Sequence, residues 1–144
     1  MANKYMSVLE GIIGRCKNYD TFMKSFGKVR AVVAEEGKAK IEFDVTEELT
    51  NNHGTLHGGC AMTIVDICTT TLCAMTPRGV TGVSVNLNMN YLTPAKLGET
   101  VVVDARILRM GNTIAYTEAE LYLKTSGKMV AKGLHTMALP KPKK

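Results

Sequence analysis

No tryptophan occurs in the 144 residues, and aromatic residues of all kinds make up 6%. With 45% hydrophobic and 22% charged residues, the balance is that of an ordinary soluble globular protein. No stretch approaches the ~18 consecutive apolar residues of a membrane-spanning helix. The longest apolar segment, Cys60–Met75, is interrupted by Asp66 and several threonines. The four cysteines form no CxxC pair. Cys60, Cys68 and Cys73 share that one segment and are spaced for burial. This excludes a zinc knuckle or a disulfide framework and favours a reducing, cytoplasmic compartment. There is no dense basic stripe and no reader motif, so nucleic acid is not an expected partner. A net charge of +5 suits an anionic small molecule or a membrane surface without demanding either. A Ser-His-Asp elbow, a P-loop and a dinucleotide fingerprint are all absent, as are internal repeats. No secretory signal is evident. The first twenty residues are weakly amphipathic and mildly basic, but Glu10, Asp20 and a single serine make a poor mitochondrial address.

What remains is a length that favours one domain over residues 1–144. Val8, Leu9, Ile12, Ile13 and Cys16 recur at helical spacing, which predicts an amphipathic helix over 4–18. Val29–Ala34 reads as a first strand. After a turn at Glu36-Gly37, Ala39, Ile41, Phe43 and Val45 alternate with charged residues as in a half-buried strand. Thr46–Thr50 is a polar connection. A turn over Asn51–Gly59 leads into a helix from His57-Gly58 to Met75, stopped by Thr76-Pro77-Arg78-Gly79. Val83–Tyr91 alternates regularly, with Val83, Val85, Leu87, Met89 and Tyr91 on one face and Ser84, Asn86, Asn88 and Asn90 on the other. Strands over 100–108, 114–124 and 129–139 follow, with turns at Met110-Gly111-Asn112 and Ser126-Gly127. Residues 140–144 form a frayed basic tail. The order α-β-β-α-β-β-β-β, with one helix apolar nearly all round, predicts an α+β architecture: a curved antiparallel β-sheet wrapped around a central helix.

Chemistry concentrates in the turn and that helix. The first N–H groups of a helix have no acceptor inside it, and the helix end carries partial positive charge. Gly58 and Gly59 carry no side chain to keep a carbonyl oxygen away from those groups, which is the layout of an oxyanion hole. The glycines could equally serve only a tight turn and close helix–sheet packing. Asp66 lies among Ile64, Val65, Ile67 and Cys68. A bare buried carboxylate is very costly, so this one must be hydrogen-bonded or face a wet cleft or an interface. Eight residues separate it from Gly58, or ~12 Å along one helix. The two cannot both touch one small reacting group. If both act in one reaction they come from different chains, which argues for a homodimer with two shared sites. Asn51 could cap the loop or position a water. His57 orients the turn. His53 and His57 are four apart, but without an HExxH glutamate or a third ligand they predict no metal site. Ser84 is the strand residue best placed to reach a water held by Asp66.

The run Asn51-x-x-Gly54-Thr55-Leu56-His57-Gly58-Gly59, then Asp66, Gly82-Val83-Ser84-Val85 and Asn90-Tyr91-Leu92-Thr93-Pro94-Ala95, resembles the hotdog-fold acyl-coenzyme A thioesterases. The likeness extends from the first helix to His135-Thr136. It implies hydrolysis of acyl-CoA, with fatty acyl chains of medium to long length, and no metal or cofactor beyond the substrate's own CoA. The implied roles are carbonyl polarisation by the Gly58 N–H, water activation by Asp66 of the facing subunit with help from Ser84, and positioning by Asn51 and His57. The implied substrate contacts are Ser84, Asn86, Tyr91, Leu92, Thr93, Pro94, Ala95 and Lys96, with Arg109, Met110, Gly111, Asn112, Thr113 and Ile114. Of these, Lys96 and Arg109 are candidate phosphate partners. The resemblance also implies a homotetramer built from dimers, a lipid-binding protein as partner, and a cytosolic and mitochondrial location. The alternatives are a thioesterase for aromatic acyl-CoA, a hydroxyacyl dehydratase and a non-catalytic acyl-thioester binding module.

Overall fold

The computed structural model describes residues 3–144; the first two residues of the expected domain lie outside the described residues. Asn3 opens the first helix, α1 (Lys4–Lys17), as its N-cap: its side-chain oxygen accepts from the Tyr5 and Met6 N–H groups, which have no partner within the helix. The same side chain donates to Ala34 O at 2.7 Å and so ties the helix to the sheet. Leu9, Ile13 and Cys16 are its buried face, at the 4 and 3 spacing that lines residues up on one side of a helix. A 3-10 segment, Phe22–Lys28, follows and buries Phe26. No periodic signal in the sequence announced it.

Strands β1 (Arg30–Glu35) and β2 (Lys38–Asp44) form a hairpin. Gly37 turns it at φ 65°, a backbone region glycine adopts without strain. Then come a short 3-10 turn at Glu47–Leu49, the central helix α2 (Gly58–Ala74), and strands β3 (Val83–Tyr91), β4 (Thr100–Met110), β5 (Ile114–Leu123) and β6 (Met129–Ala138). The six strands form one antiparallel sheet in the order β1-β2-β4-β5-β6-β3. Strands β2 to β6 all meet α2. Ile41 and Phe43 of β2, Val101 and Val103 of β4, and Leu121 of β5 are buried in the same core as Ile64, Val65 and Leu72 of the helix. This is the hotdog fold, as expected: a sheet curled around one helix.

Two expectations need correcting. The first is that α2 is apolar and enclosed nearly all round. Asp66, Thr70 and Ala74 are only half-buried, and Gly59 is exposed. Residues four apart share a helix face, so α2 keeps an open stripe with Asp66 on it. The sheet curls over one side of the helix and leaves this other side uncovered.

The second concerns β3. Its pairing with β6 shifts register between Ser84, which faces Met137, and Asn86, which faces Thr136. Val85 is the extra residue of a β-bulge, and one extra residue reverses the alternation that follows. Ser84 therefore shares the inner face with Leu87 and Met89, which pack on the core. It does not share a face with Asn86, Asn88 and Asn90. Val83 and Val85, expected on one face with Leu87, Met89 and Tyr91, are instead 71% and 62% exposed at the sheet edge.

Candidate active site

The turn before α2 is organised by Asn51. Its side-chain oxygen accepts from the His53 N–H at 2.9 Å and the Thr55 N–H at 3.3 Å. Its amide donates to Thr55 Oγ1 at 2.9 Å. An asparagine that bonds its own loop in this way fixes a tight turn. His57 is the N-cap of α2, and its Nδ1 accepts from the Gly59 N–H at 2.9 Å. The Gly58 N–H lies in the first turn, without an intrahelical acceptor.

Tyr91 covers this turn. Its hydroxyl donates to Gly58 O at 2.8 Å. A Cβ at residue 58 would lie 3.2 Å from the tyrosine ring, closer than side chains ordinarily approach, so the glycine lets the ring lie against the backbone. The segment that follows β3 runs beside the turn, with the Leu56 N–H donating to Ala95 O at 2.7 Å. A cleft of about 340 Å³ results, lined by Asn51, Gly58, Tyr91, Leu92, Thr93 and Pro94 among others. Lys96 lies alongside, bridged to Thr55.

Asp66 belongs to a different opening. Ser84 Oγ is 3.3 Å from Asp66 Oδ1, and Thr70 Oγ1 is 3.5 Å from the same oxygen. The Asp66 side chain is 45% exposed, so it sits at a cleft and not inside the core. That cleft, about 750 Å³, is walled by apolar residues of α1 and the segment after it, including Val8, Ile12, Tyr19 and Met23. Gly58 and Asp66 of one chain thus line separate clefts, as their helical spacing requires.

Sequence reasoning missed His135. It is fully buried, with Nε2 2.8 Å from Ser84 Oγ, Nδ1 2.7 Å from Thr69 Oγ1, and Nε2 3.7 Å from Asp66 Oδ1. Burial lowers its pKa from the usual 6.5, against the opposing pull of the Asp66 charge. The signal that could have found it is strand phase: on β6, His135 alternates with Ala131, Gly133 and Met137 and so points inward.

Arg109–Ile114 span the end of β4, the turn and the start of β5, and line neither cleft. Arg78 Nη1 donates there to Gly111 O at 3.3 Å and Asn112 O at 2.8 Å, and Nη2 donates to Pro140 O. The two stretches expected to contact one substrate therefore lie apart on one protomer. Asn86 is exposed on the outer face of β3. Among the described residues, no three His, Cys, Asp or Glu side chains converge as metal ligands, and no helix is long and apolar enough to cross a membrane. The cysteines are free, and burial pushes the Cys68 thiol up to about 12.

A hotdog sheet around a helix that carries an N-terminal glycine turn and an acid defines a class. The family profile described as "Thioesterase superfamily" matches residues 53–130, and the chain belongs to that superfamily. It is similar to the human protein named acyl-coenzyme A thioesterase 13, with 46% identity over 118 residues, 82% of this chain and 84% of that one. Among solved structures it is similar to thioesterase superfamily member 2 from zebrafish, with a TM-score of 0.91 and 36% identity over 94% of this chain and 98% of that one. The mouse protein of the same name gives a TM-score of 0.87 and 37% identity over 97% and 100%.

Proposed function

We propose that the chain is an acyl-CoA thioesterase that hydrolyses medium- to long-chain fatty acyl-CoA to a fatty acid and CoA. The observation that carries this reading is the Asp66–Ser84–His135 cluster, placed where an apolar cleft opens beside the helix. The name of the human relative points the same way.

In this mechanism the thioester carbonyl oxygen accepts from the Gly58 N–H at the positive end of α2. Asn51 and His57 hold the turn in place. Asp66 of the facing subunit takes a proton from water as the water oxygen bonds to the thioester carbon. The tetrahedral intermediate collapses, the C–S bond breaks, and the proton held by Asp66 goes to the CoA sulfur. A direct attack by Asp66, giving an anhydride that water then opens, uses the same residues. The reaction consumes only water and the substrate. The open stripe of α2 is the face on which a second α2 would lie antiparallel, bringing Gly58 of one chain to Asp66 of the other. The catalytic unit is then a homodimer, with two such dimers forming a tetramer.

Tyr91–Lys96 and Arg109–Ile114 would bind CoA, with Lys96 and Arg109 against its phosphates. The two stretches lie apart on one protomer, so a single CoA would draw them from different subunits. The cleft beside α1 would take the acyl chain. The location would be the cytosol, with mitochondria as a second compartment, and a lipid-binding protein is the expected partner. The test is free-thiol release from a series of acyl-CoA esters, aliphatic from short to long and one aromatic. Turnover rising with aliphatic chain length supports the reading, and an absence of turnover with any ester overturns it.

A further inference from the structure

We propose that Thr69 is a positioning residue: it sets the tautomer of His135, and through it the direction in which the Ser84 hydroxyl points. The consequence for catalysis rests on the hydrolytic reading above, but the proton arrangement does not.

The argument is a count of protons. Four polar contacts run in series from the backbone of α2 to Asp66. Val65 O to Thr69 Oγ1 is 2.8 Å, Thr69 Oγ1 to His135 Nδ1 is 2.7 Å, His135 Nε2 to Ser84 Oγ is 2.8 Å, and Ser84 Oγ to Asp66 Oδ1 is 3.3 Å. The groups at the two ends, a carbonyl and an ionised carboxylate, can only accept. Between them a neutral imidazole and two hydroxyls supply three protons for four gaps. One gap must stay empty, with lone pairs facing each other across it. The 3.3 Å between Ser84 and Asp66 exceeds the ~2.5–3.0 Å of an O–H···O hydrogen bond, and a hydroxyl donating to a carboxylate would lie closer still. The other three gaps are of hydrogen-bond length, so the Ser84–Asp66 gap is the one without a proton.

Every other proton then has one place. Thr69 donates to Val65 O, His135 carries its proton on Nδ1 and donates it to Thr69, and Ser84 donates to His135 Nε2. A second carbonyl supports the first step: Asp66 O lies 3.3 Å from Thr69 Oγ1, so two backbone acceptors draw that hydroxyl proton toward the helix. Burial of His135 keeps it neutral, as the count requires. Both ring nitrogens have a partner in this ring orientation, and the bond one nitrogen makes decides where the proton sits.

The outcome reverses the simple picture of Ser84 as a donor to Asp66. Its hydroxyl is turned to His135, and an oxygen lone pair is presented beside the carboxylate. A water at that gap donates one proton to Ser84 and the other to Asp66, leaving its own lone pairs for the thioester carbon. Thr69, which touches no substrate, determines this through His135.

The test uses the 15N-labelled full-length protein. Correlations of the ring nitrogens with the ring C–H groups give the tautomer of His135, assigned by its loss in His135→Gln. The expected wild-type result is a protonated Nδ1 and a bare Nε2. Thr69→Val removes the acceptor of that proton. The Nε2–H tautomer should then grow, and kcat should fall roughly fivefold, near the rate equivalent of one neutral hydrogen bond, with little change in KM. Thr69→Ser, which keeps the hydroxyl, should restore both. A wild type with Nε2–H as the major form overturns the proposal, as does a Thr69→Val protein with tautomer and kcat unchanged. If Thr69→Val does not fold, the wild-type tautomer still decides. A wild type that shows Nδ1–H yet releases no thiol overturns the hydrolytic reading and leaves the proton arrangement standing.

Discussion

Ser84 and His135 are 51 residues apart in sequence, yet Ser84 Oγ lies 2.8 Å from His135 Nε2. The contact exists because β3 pairs with β6 and the bulge at Val85 turns Ser84 to the inner face. It ties β3 to β6, and the same imidazole reaches Thr69 of the helix that carries Asp66, so a buried imidazole stands behind the acid expected to activate water.

Replacing Asp66 separates chemistry from fold. Its side chain is 45% exposed, so Asp66→Asn should leave stability within about 1 kcal/mol of wild type. Loss of the general base should lower kcat by about a thousandfold. Thermal denaturation and thiol release check both halves, and a near-normal kcat would sink the assigned role.

Subunit sharing makes its own prediction. Mixed dimers of Asp66→Asn with Gly58→Ala should recover one intact site in two, because each chain supplies the half the other lacks. Neither variant alone should do so. No recovery in dimers shown to be mixed would rule out a site built from both chains.

Tyr91→Phe keeps the ring against Gly58 and removes only the bond to Gly58 O. One neutral hydrogen bond is worth about 1 kcal/mol, so kcat/KM should fall about fivefold through a looser glycine turn. Initial rates with a single acyl-CoA decide it; an unchanged kcat/KM would mean the turn holds without the tyrosine hydroxyl.

His135 gives a stability term with a definite sign. Burial lowers its pKa in the folded state below the usual 6.5. Between that lowered value and 6.5 the unfolded chain binds more protons than the folded one, so stability falls as pH drops through this window. Above 6.5 the residue is neutral in both states and exerts no slope. Denaturant midpoints of wild type across the window should show this loss, and His135→Gln should remove that part of the slope.

Ile12 lines the cleft beside Asp66, so Ile12→Phe should shorten the acyl chain accepted. Turnover of long-chain esters should fall more than that of short ones. An equal effect on all lengths would place the acyl chain elsewhere.

Much of the architecture was legible locally. Alternation in Lys38–Asp44 and helical spacing in Val8–Cys16 reflect burial periods of two and about 3.6, which each segment carries by itself. The Phe22–Lys28 segment was not legible, since a short 3-10 turn has no comparable period. Of the site, Gly58, Asp66, Asn51 and His57 could be singled out, because a glycine pair before an apolar run and a lone acid inside one are local anomalies. Ser84 was found, but for a face it does not occupy.

By itself, then, the sequence determined the strands, the central helix, the glycine turn, and the ~12 Å along that helix which keeps Gly58 and Asp66 from sharing one reacting atom. Only the tertiary structure decided that His135 and Thr69, 66 residues apart, stand behind Ser84, and that α2 keeps an open stripe. The physical reason is register. Which residues of β3 and β6 face one another depends on a one-residue bulge, and shifting the pairing by one residue exchanges the inner face for the outer.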